Sequence, residues 1–161
     1  MTISEYNQSV TLYSDNVYRF ILKNIRHVEN AQDIVQSSFE KMWINREKVE
    51  AEKSKSFLFT VAYNQMIDFI RKNKRIIYTD EVPVNTVTYL KPQNELKRIL
   101  MMALDRLNET QKSLVMLKDY EGYSYTEIAE IMNLSESQVK VYLHRARIQL
   151  REFLSKPENV I

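Results

Sequence analysis

Two helix starts, eleven residues apart, constrain this chain more than anything else in it. Ser124-Tyr125-Thr126-Glu127 has the form of a capping box: the Ser hydroxyl accepts from a backbone N–H three residues on, and the Glu side chain reaches back. Ser135-Glu136-Ser137-Gln138 repeats the form. Between the two, Ile128, Ala129, Ile131 and Met132 make one apolar face of a short helix. Met132-Asn133-Leu134 supplies a turn in which Asn133 tolerates left-handed backbone angles. Beyond the second box, Val139, Leu143, Ala146 and Leu150 share a stripe and turn Lys140, His144, Arg145, Arg147 and Arg151 to other faces. A short helix, a tight turn and a basic second helix form a helix-turn-helix, whose second helix suits a DNA major groove. The pattern predicts a DNA-binding element.

The rest of the chain reads as helical too. It has one Gly and three Pro in 161 residues and no long strand-like alternation, so the expected fold class is all-α. Three amphipathic stripes come first: Tyr6, Val10, Tyr13, Val17, Phe20, Ile21 and Ile25; then Ala31, Ile34, Val35, Ser38, Phe39, Met42 and Trp43; then Leu58, Val61, Ala62, Gln65, Met66, Phe69 and Ile70. The stretch 77–92 breaks the pattern. It holds two of the three prolines and many β-branched residues, and each proline pushes its predecessor out of the α region. It predicts an extended connector. Leu96, Ile99, Leu100, Ala103, Leu104 and Leu107 then mark a fourth helix. Asn108, with Gln111 three residues on, marks the N-cap of a fifth that runs through Val115 to Asp119, and Gly122 supplies the next turn. Two small helical domains follow, 1–76 and 93–161, joined by the linker 77–92; the second is a four-helix unit containing the helix-turn-helix.

Composition excludes several functions. No Cys is present, which removes disulfides and thiolate metal sites and fits a reducing compartment. His27 and His144 are too few and too far apart for a histidine-based metal centre, so no metal and no cofactor are expected. The N-terminus has neither a basic n-region nor an apolar h-region, and no apolar run nears the roughly 18 residues of a membrane span. A soluble cytoplasmic protein without membrane insertion is the expectation. Net charge is only +2, but its basic residues cluster in Arg71-Lys72-Asn73-Lys74-Arg75 and in 140–151. Two separated basic elements suggest two separated contacts with a polyanion.

The first module carries candidate chemistry beyond packing. Asp33, Gln36, Ser37, Glu40 and Lys41 line the outer face of its second helix, with Trp43 at the end. The third helix follows a charged stretch, Glu47 to Ser56, read as a loop with nothing to bury. Phe57 and Phe59 there read as core. Tyr63 and Asn64 beside lysines are the materials for holding an unstacked base: a π-face, an amide edge and cations for phosphate.

These residues resemble a known family. Asn30-Ala31-Gln32-Asp33-Ile34-Val35-Gln36-Ser37-Ser38-Phe39-Glu40-Lys41-Met42-Trp43 is similar to the Asp-Ala-Glu-Asp-Leu-Val-Gln-Glu-x-Phe-x-x-x-Trp signature of the extracytoplasmic-function (ECF, group IV) RNA polymerase sigma factors. Val61-Ala62-Tyr63-Asn64-x-x-x-Asp68-x-x-Arg71 resembles the next helix of that family. Asp119 to Ala129, and Val139-Lys140-x-x-Leu143-His144-Arg145-Ala146-Arg147, resemble its region four. The resemblance spans about Tyr13 to Leu154, with 77–92 where the family has its variable linker.

The resemblance implies roles. Residues 1–76 would be sigma region 2 and 93–161 sigma region 4. Asp33, Gln36, Ser37 and Glu40 would meet the β′ clamp helices of core RNA polymerase, whose β flap would receive the second domain. Lys53, Ser54 and Lys55, with Tyr63 and Asn64, would capture a flipped base of the minus-ten promoter element, and Arg71, Lys72, Lys74 and Arg75 would hold nearby phosphate. In the minus-thirty-five major groove, Lys140 and His144 would face bases, and Ser135, Ser137, Arg145 and Arg147 would lie nearer phosphate; Val141, where the chain departs from the family pattern, offers an apolar contact to a thymine methyl. An anti-sigma factor is implied as a further partner. Departures from the family pattern are Val141-Tyr142 for a common Ser-Arg, Asn133 for the turn Gly, Asn30 and Gln32 for acids, and Ser37 for a Glu. The clamp-facing surface is therefore less acidic than is usual in the family.

Two rivals stand beside an alternative sigma factor that initiates transcription of a regulon. One is a stand-alone helix-turn-helix regulator whose N-terminal helical domain senses a ligand or dimerises. The other is a nucleic-acid enzyme, which would need a clustered nucleophile or carboxylate metal site; the ten tyrosines are scattered along core stripes, and Asp33, Asp68 and Asp119 form no close pattern.

Overall fold

The computed structural model describes residues 1–79 and 95–156. Seven α-helices and no strand occur among them: α1 Ile3–Ile25, α2 Val28–Ile44, α3 Ser54–Thr79, α4 Glu95–Asp105, α5 Glu109–Val115, α6 Tyr125–Met132 and α7 Glu136–Ser155. They divide into two compact units, with the boundary between Leu90 and Lys91.

In the first unit α1, α2 and α3 pack pairwise against one another. Their common core is the fully buried set Val17, Phe20, Ile21, Ala31, Met42, Leu58, Phe59, Ala62 and Met66, with the Phe20 and Phe59 rings 5.8 Å apart. Two buried serines, Ser9 and Ser38, satisfy their hydroxyls by donating one turn back, to the carbonyls of Glu5 and Ile34. The two-residue connection between α1 and α2 works without glycine. Arg26 takes the left-handed conformation (φ 55°) and donates its N–H to the Leu22 carbonyl. His27 is then the N-cap of α2, its Nδ1 accepting from the Asn30 N–H at 3.2 Å. His27→Ala is expected to lower the unit's stability by about 1 kcal/mol, whereas His27→Ser restores a hydroxyl acceptor and most of the loss. Urea titrations followed by Trp43 fluorescence check this; equal losses in both variants would mean that the ring packs rather than caps.

Three expectations need correcting here. The stretch before α3 does bury side chains: Val49 is inside, and a short 3-10 turn at Ala51–Lys53 leads into α3. Trp43 does not join the core. It stays 37% exposed, edge-on to Tyr6 at 4.9 Å and covered by the Arg46 guanidinium at 4.0 Å. α3 also runs three residues into the span read as connector, through Ile77-Tyr78-Thr79. Local β-branched content is a weak signal when a helix already stands to be continued. The remainder of the predicted connector, 80–92, lies outside the described residues, as do the side chains of Lys74 and Arg75.

The second unit is built around α5. Leu114, Val115, Met116 and Leu117 are four consecutive buried residues, so this helix is enclosed on all sides rather than along one stripe. Asn108 and Gln111 form the expected capping box, with the Gln111 N–H 2.8 Å from Asn108 Oδ1. The expected continuation to Asp119 is not α-helical. Met116–Tyr120 is a π turn, closed by the Glu121 N–H on the Met116 carbonyl five residues back. Lys112, almost buried, is paired with Asp105 at 3.3 Å. Ile99, Ala103, Leu104 and Leu107 are buried as predicted, but Leu96, in the first turn of α4, is 77% exposed. Gly122 makes its turn with φ +73°, in the region that favours glycine.

Candidate nucleic-acid interface

Both predicted capping boxes start the helices they should. Glu127 N–H donates to Ser124 Oγ at 3.1 Å, and Glu127 Oε1 accepts from the Ser124 N–H at 3.1 Å. Around Ser135 the corresponding distances to Gln138 are 3.1 and 2.9 Å. Asn133 has the predicted left-handed conformation, φ 54° and ψ 50°, and ends α6. A further hydrogen bond joins Thr126 at the start of α6 to Glu136 at the start of α7. The angle between the two helices is thus tied at the turn and at their N-terminal ends.

α7 buries Val139, Leu143, Ala146 and Phe153 against the unit and half-buries Leu150. Ser135, Ser137, Lys140, Val141, His144 and Arg145 are exposed, and Val141, 46% exposed, is apolar surface among polar neighbours. With about 100° per residue, Ser137, Val141 and Ile148 point directly away from the core, His144 close beside them. Lys140, Arg147 and Arg151 fall on one flank, Tyr142 and Arg145 on the other. Arg145 and Tyr142 line a cleft of about 290 Å³ with Asn108, Thr110 and Gln111.

The Lys140 flank is held from behind. Lys140 Nζ lies 5.3 Å from the Tyr125 ring centroid, and Lys118 Nζ lies 4.3 Å over the same ring while donating to the Tyr123 carbonyl at 3.2 Å. Arg147 differs from the sequence expectation. Its guanidinium makes a bidentate pair with Asp119: Nη2 donates to Oδ1 at 2.6 Å and Nε to Oδ2 at 3.3 Å. The Asp119 hydrogen bond raises the Arg147 pKa further above its ordinary value, against partial desolvation, with Tyr125 a smaller contributor. Sequence spacing could not reveal this partner, which is 28 residues away.

In the first unit, Asp33, Gln36 and Glu40 are exposed along one face of α2, and Gln36 Nε2 donates to Glu40 Oε1 at 3.3 Å. Ser37 shares that face but has an internal partner: its hydroxyl accepts from Gln65 Nε2 of α3 at 3.1 Å. Burial, with the Glu40 charge adding, raises the pKa of Tyr6, whose hydroxyl donates to the Phe39 carbonyl at 3.0 Å. On α3, Asn64, Arg71 and Lys72 are exposed and Tyr63 is half-buried. Lys53 is exposed just ahead of them and Lys55 is half-buried. Ser54 is not presented as the sequence suggested: it is 2% exposed, and its hydroxyl donates to the Ala51 carbonyl at 2.8 Å. Phe59 is core, as read, while Phe57 is half-buried. Among the described residues no group of three or more His, Cys, Asp or Glu could hold a metal ion. No helix among them is long and apolar enough to cross a membrane.

Two helical units, one carrying a polar helix face and the other a helix-turn-helix, are found together in known proteins. Residues 10–76 match Sigma-70 region 2, and residues 97–150 match Sigma-70, region 4. The chain is 30% identical to the ECF RNA polymerase sigma factor SigM of Bacillus subtilis, over 99% of each chain. It is 28% identical to the RNA polymerase sigma factor YlaC of the same organism, over 89% of this chain and 88% of the relative. The fold is shared with the sigma factor RpoE of Bartonella quintana, solved in complex with the anti-sigma factor NepR (TM-score 0.79, 24% identity, 96% and 99% of the two chains). It is also shared with CnrH, solved in complex with the cytosolic domain of CnrY (TM-score 0.70, 18% identity, 92% and 86%). The chain belongs to the ECF RNA polymerase sigma factors. It is an alternative sigma factor that initiates transcription of a regulon, and the stand-alone regulator reading is not favoured.

Proposed function

We propose that this group IV sigma factor grips a promoter at two separated points and supplies no catalysis of its own. The observation that carries the reading is the exposed row Ser137, Lys140, Val141 and His144 on a helix whose start is fixed by a double cap. That row enters the major groove of the minus-thirty-five element, where Lys140 and His144 meet base edges, Val141 a thymine methyl, and Ser135 and Arg145 the backbone. At the minus-ten element, Tyr63 and Asn64 take an extruded base, with Lys53, Lys55, Arg71 and Lys72 on phosphate. The exposed Asp33, Gln36 and Glu40 dock the β′ clamp helices of core RNA polymerase, and the second unit meets the β flap. The protein acts in the cytoplasm. An anti-sigma factor is a further partner; RpoE, which shares this fold, is solved in complex with one.

Reconstitution with core RNA polymerase, followed by genome-wide mapping of transcript starts, tests the proposal. Promoter-specific initiation that depends on adding the chain is the expected outcome. Starts that are unchanged by its addition, with tight operator binding by the isolated chain, would instead support a polymerase-independent regulator.

A further inference from the structure

The Asp119–Arg147 pair has features that a phosphate contact does not need. It is bidentate, it joins segments 28 residues apart, and the acid comes from a π turn in an otherwise enclosed helix. The π turn adds a residue to the helical circuit and so sets where Asp119 faces. Arg147 lies two turns along from Lys140 on the same flank of α7, and Tyr125 contacts Lys140 and Lys118 from the adjoining helix. An acid beside a DNA-facing flank weakens attraction for a polyanion. Its compensation must lie elsewhere than in affinity. The side chains are 42% exposed for Arg147 and 39% for Asp119, so solvent screens the pair and it is not a fold requirement. What a planar two-bond fork does supply is orientation: it trims the seating of α7 that the buried stripe sets, against the π turn.

Resting on the reading of α7 as the upstream-element helix, we infer that Asp119 and Arg147 are positioning residues for promoter discrimination. Arg147 is withheld from the DNA backbone by Asp119, and the pair holds α7 so that Lys140 and His144 meet the correct base edges. The consequence is contrary to simple charge counting. Removing the acid leaves the protein more attractive to DNA in general and worse at choosing among sequences.

The test uses full-length chain with core polymerase, on a promoter recovered by start-site mapping and on the same promoter with its upstream element scrambled. The readout is the ratio of initiation on the two. Asp119→Asn and Arg147→Ala are each expected to lower that ratio about fivefold, with no further loss in the double variant, because coupled residues are non-additive. Arg147→Lys should behave like Arg147→Ala, since an ammonium keeps the charge but cannot make the fork. Initiation on the scrambled promoter should hold or rise in Asp119→Asn. A merely structural role would reduce both promoters in proportion and leave the ratio unmoved, which overturns the inference. So does initiation that rises on both promoters in Asp119→Asn and falls on both in Arg147→Ala, because Arg147 is then a phosphate ligand that Asp119 competes for. Lys140→Ala, run alongside, separates the layers: if it too leaves the ratio unmoved, α7 does not read the upstream element and the underlying reading fails.

Discussion

Phe59→Ala should lower the stability of the α1–α3 unit by about 3–5 kcal/mol, a large part of the ~5–15 kcal/mol of a typical domain. Phe59 is fully buried, its ring centroid lies 5.8 Å from that of Phe20, and residues of all three helices share its core. Truncation therefore removes both transfer energy and neighbours, leaving a cavity that three tightly packed helices cannot collapse into. Phe59→Leu should lose much less, because most of the volume remains. The single tryptophan of the chain, Trp43, sits on α2 against Tyr6 of α1, so its fluorescence reports this unit. A denaturation midpoint for Phe59→Ala equal to that of the parent would contradict the packing described.

The second large effect is functional and divides between the units. Lys140→Ala should reduce initiation roughly tenfold or more at promoters with an intact upstream element, the discrimination a base-contacting side chain typically carries. Scrambling that element should erase the difference. Asn64→Ala should leave promoter binding close to normal and slow duplex opening, again by about tenfold, since the side chain meets a base only after it has left the stack. Binding by filter retention and opening by permanganate reactivity separate the two steps. If each variant impairs both steps equally, the two units do not divide the work.

Much of this molecule could be read from local pattern. The caps at Asn108, Ser124 and Ser135, the left-handed Asn133 and the Gly122 turn each follow from residues within four positions of one another, and all five appear. The exposed faces of α2 and α7 follow from helical period. Locality also set the limits. Position on a helix or loop alone points Ser37, Ser54 and Arg147 outward. Ser37 and Arg147 are engaged by partners 28 residues away in sequence, and Ser54 by the carbonyl that closes an unforeseen 3-10 turn. His27 was missed as a cap because an imidazole serves only when its ring nitrogen happens to face the helix start. The capping box at Thr2 and Glu5 is legible from the three-residue spacing ahead of an amphipathic stripe. The π turn is not legible locally, because Met116-Leu117-Lys118-Asp119-Tyr120 carries no breaker and nothing that sets it apart from a continuing α-helix.

A π turn is an α-helix that has absorbed one surplus residue. The stretch 116–120 is thus a place where the chain can gain or lose a residue without losing its helix, because the hydrogen bonds re-form one step over. What would not change is rotation: the wider turn takes up the extra residue, so the helices that follow keep their facing. A one-residue change in length at this point would therefore be taken up where it occurs, leaving both the aim of α7 and the interior that supports it in place.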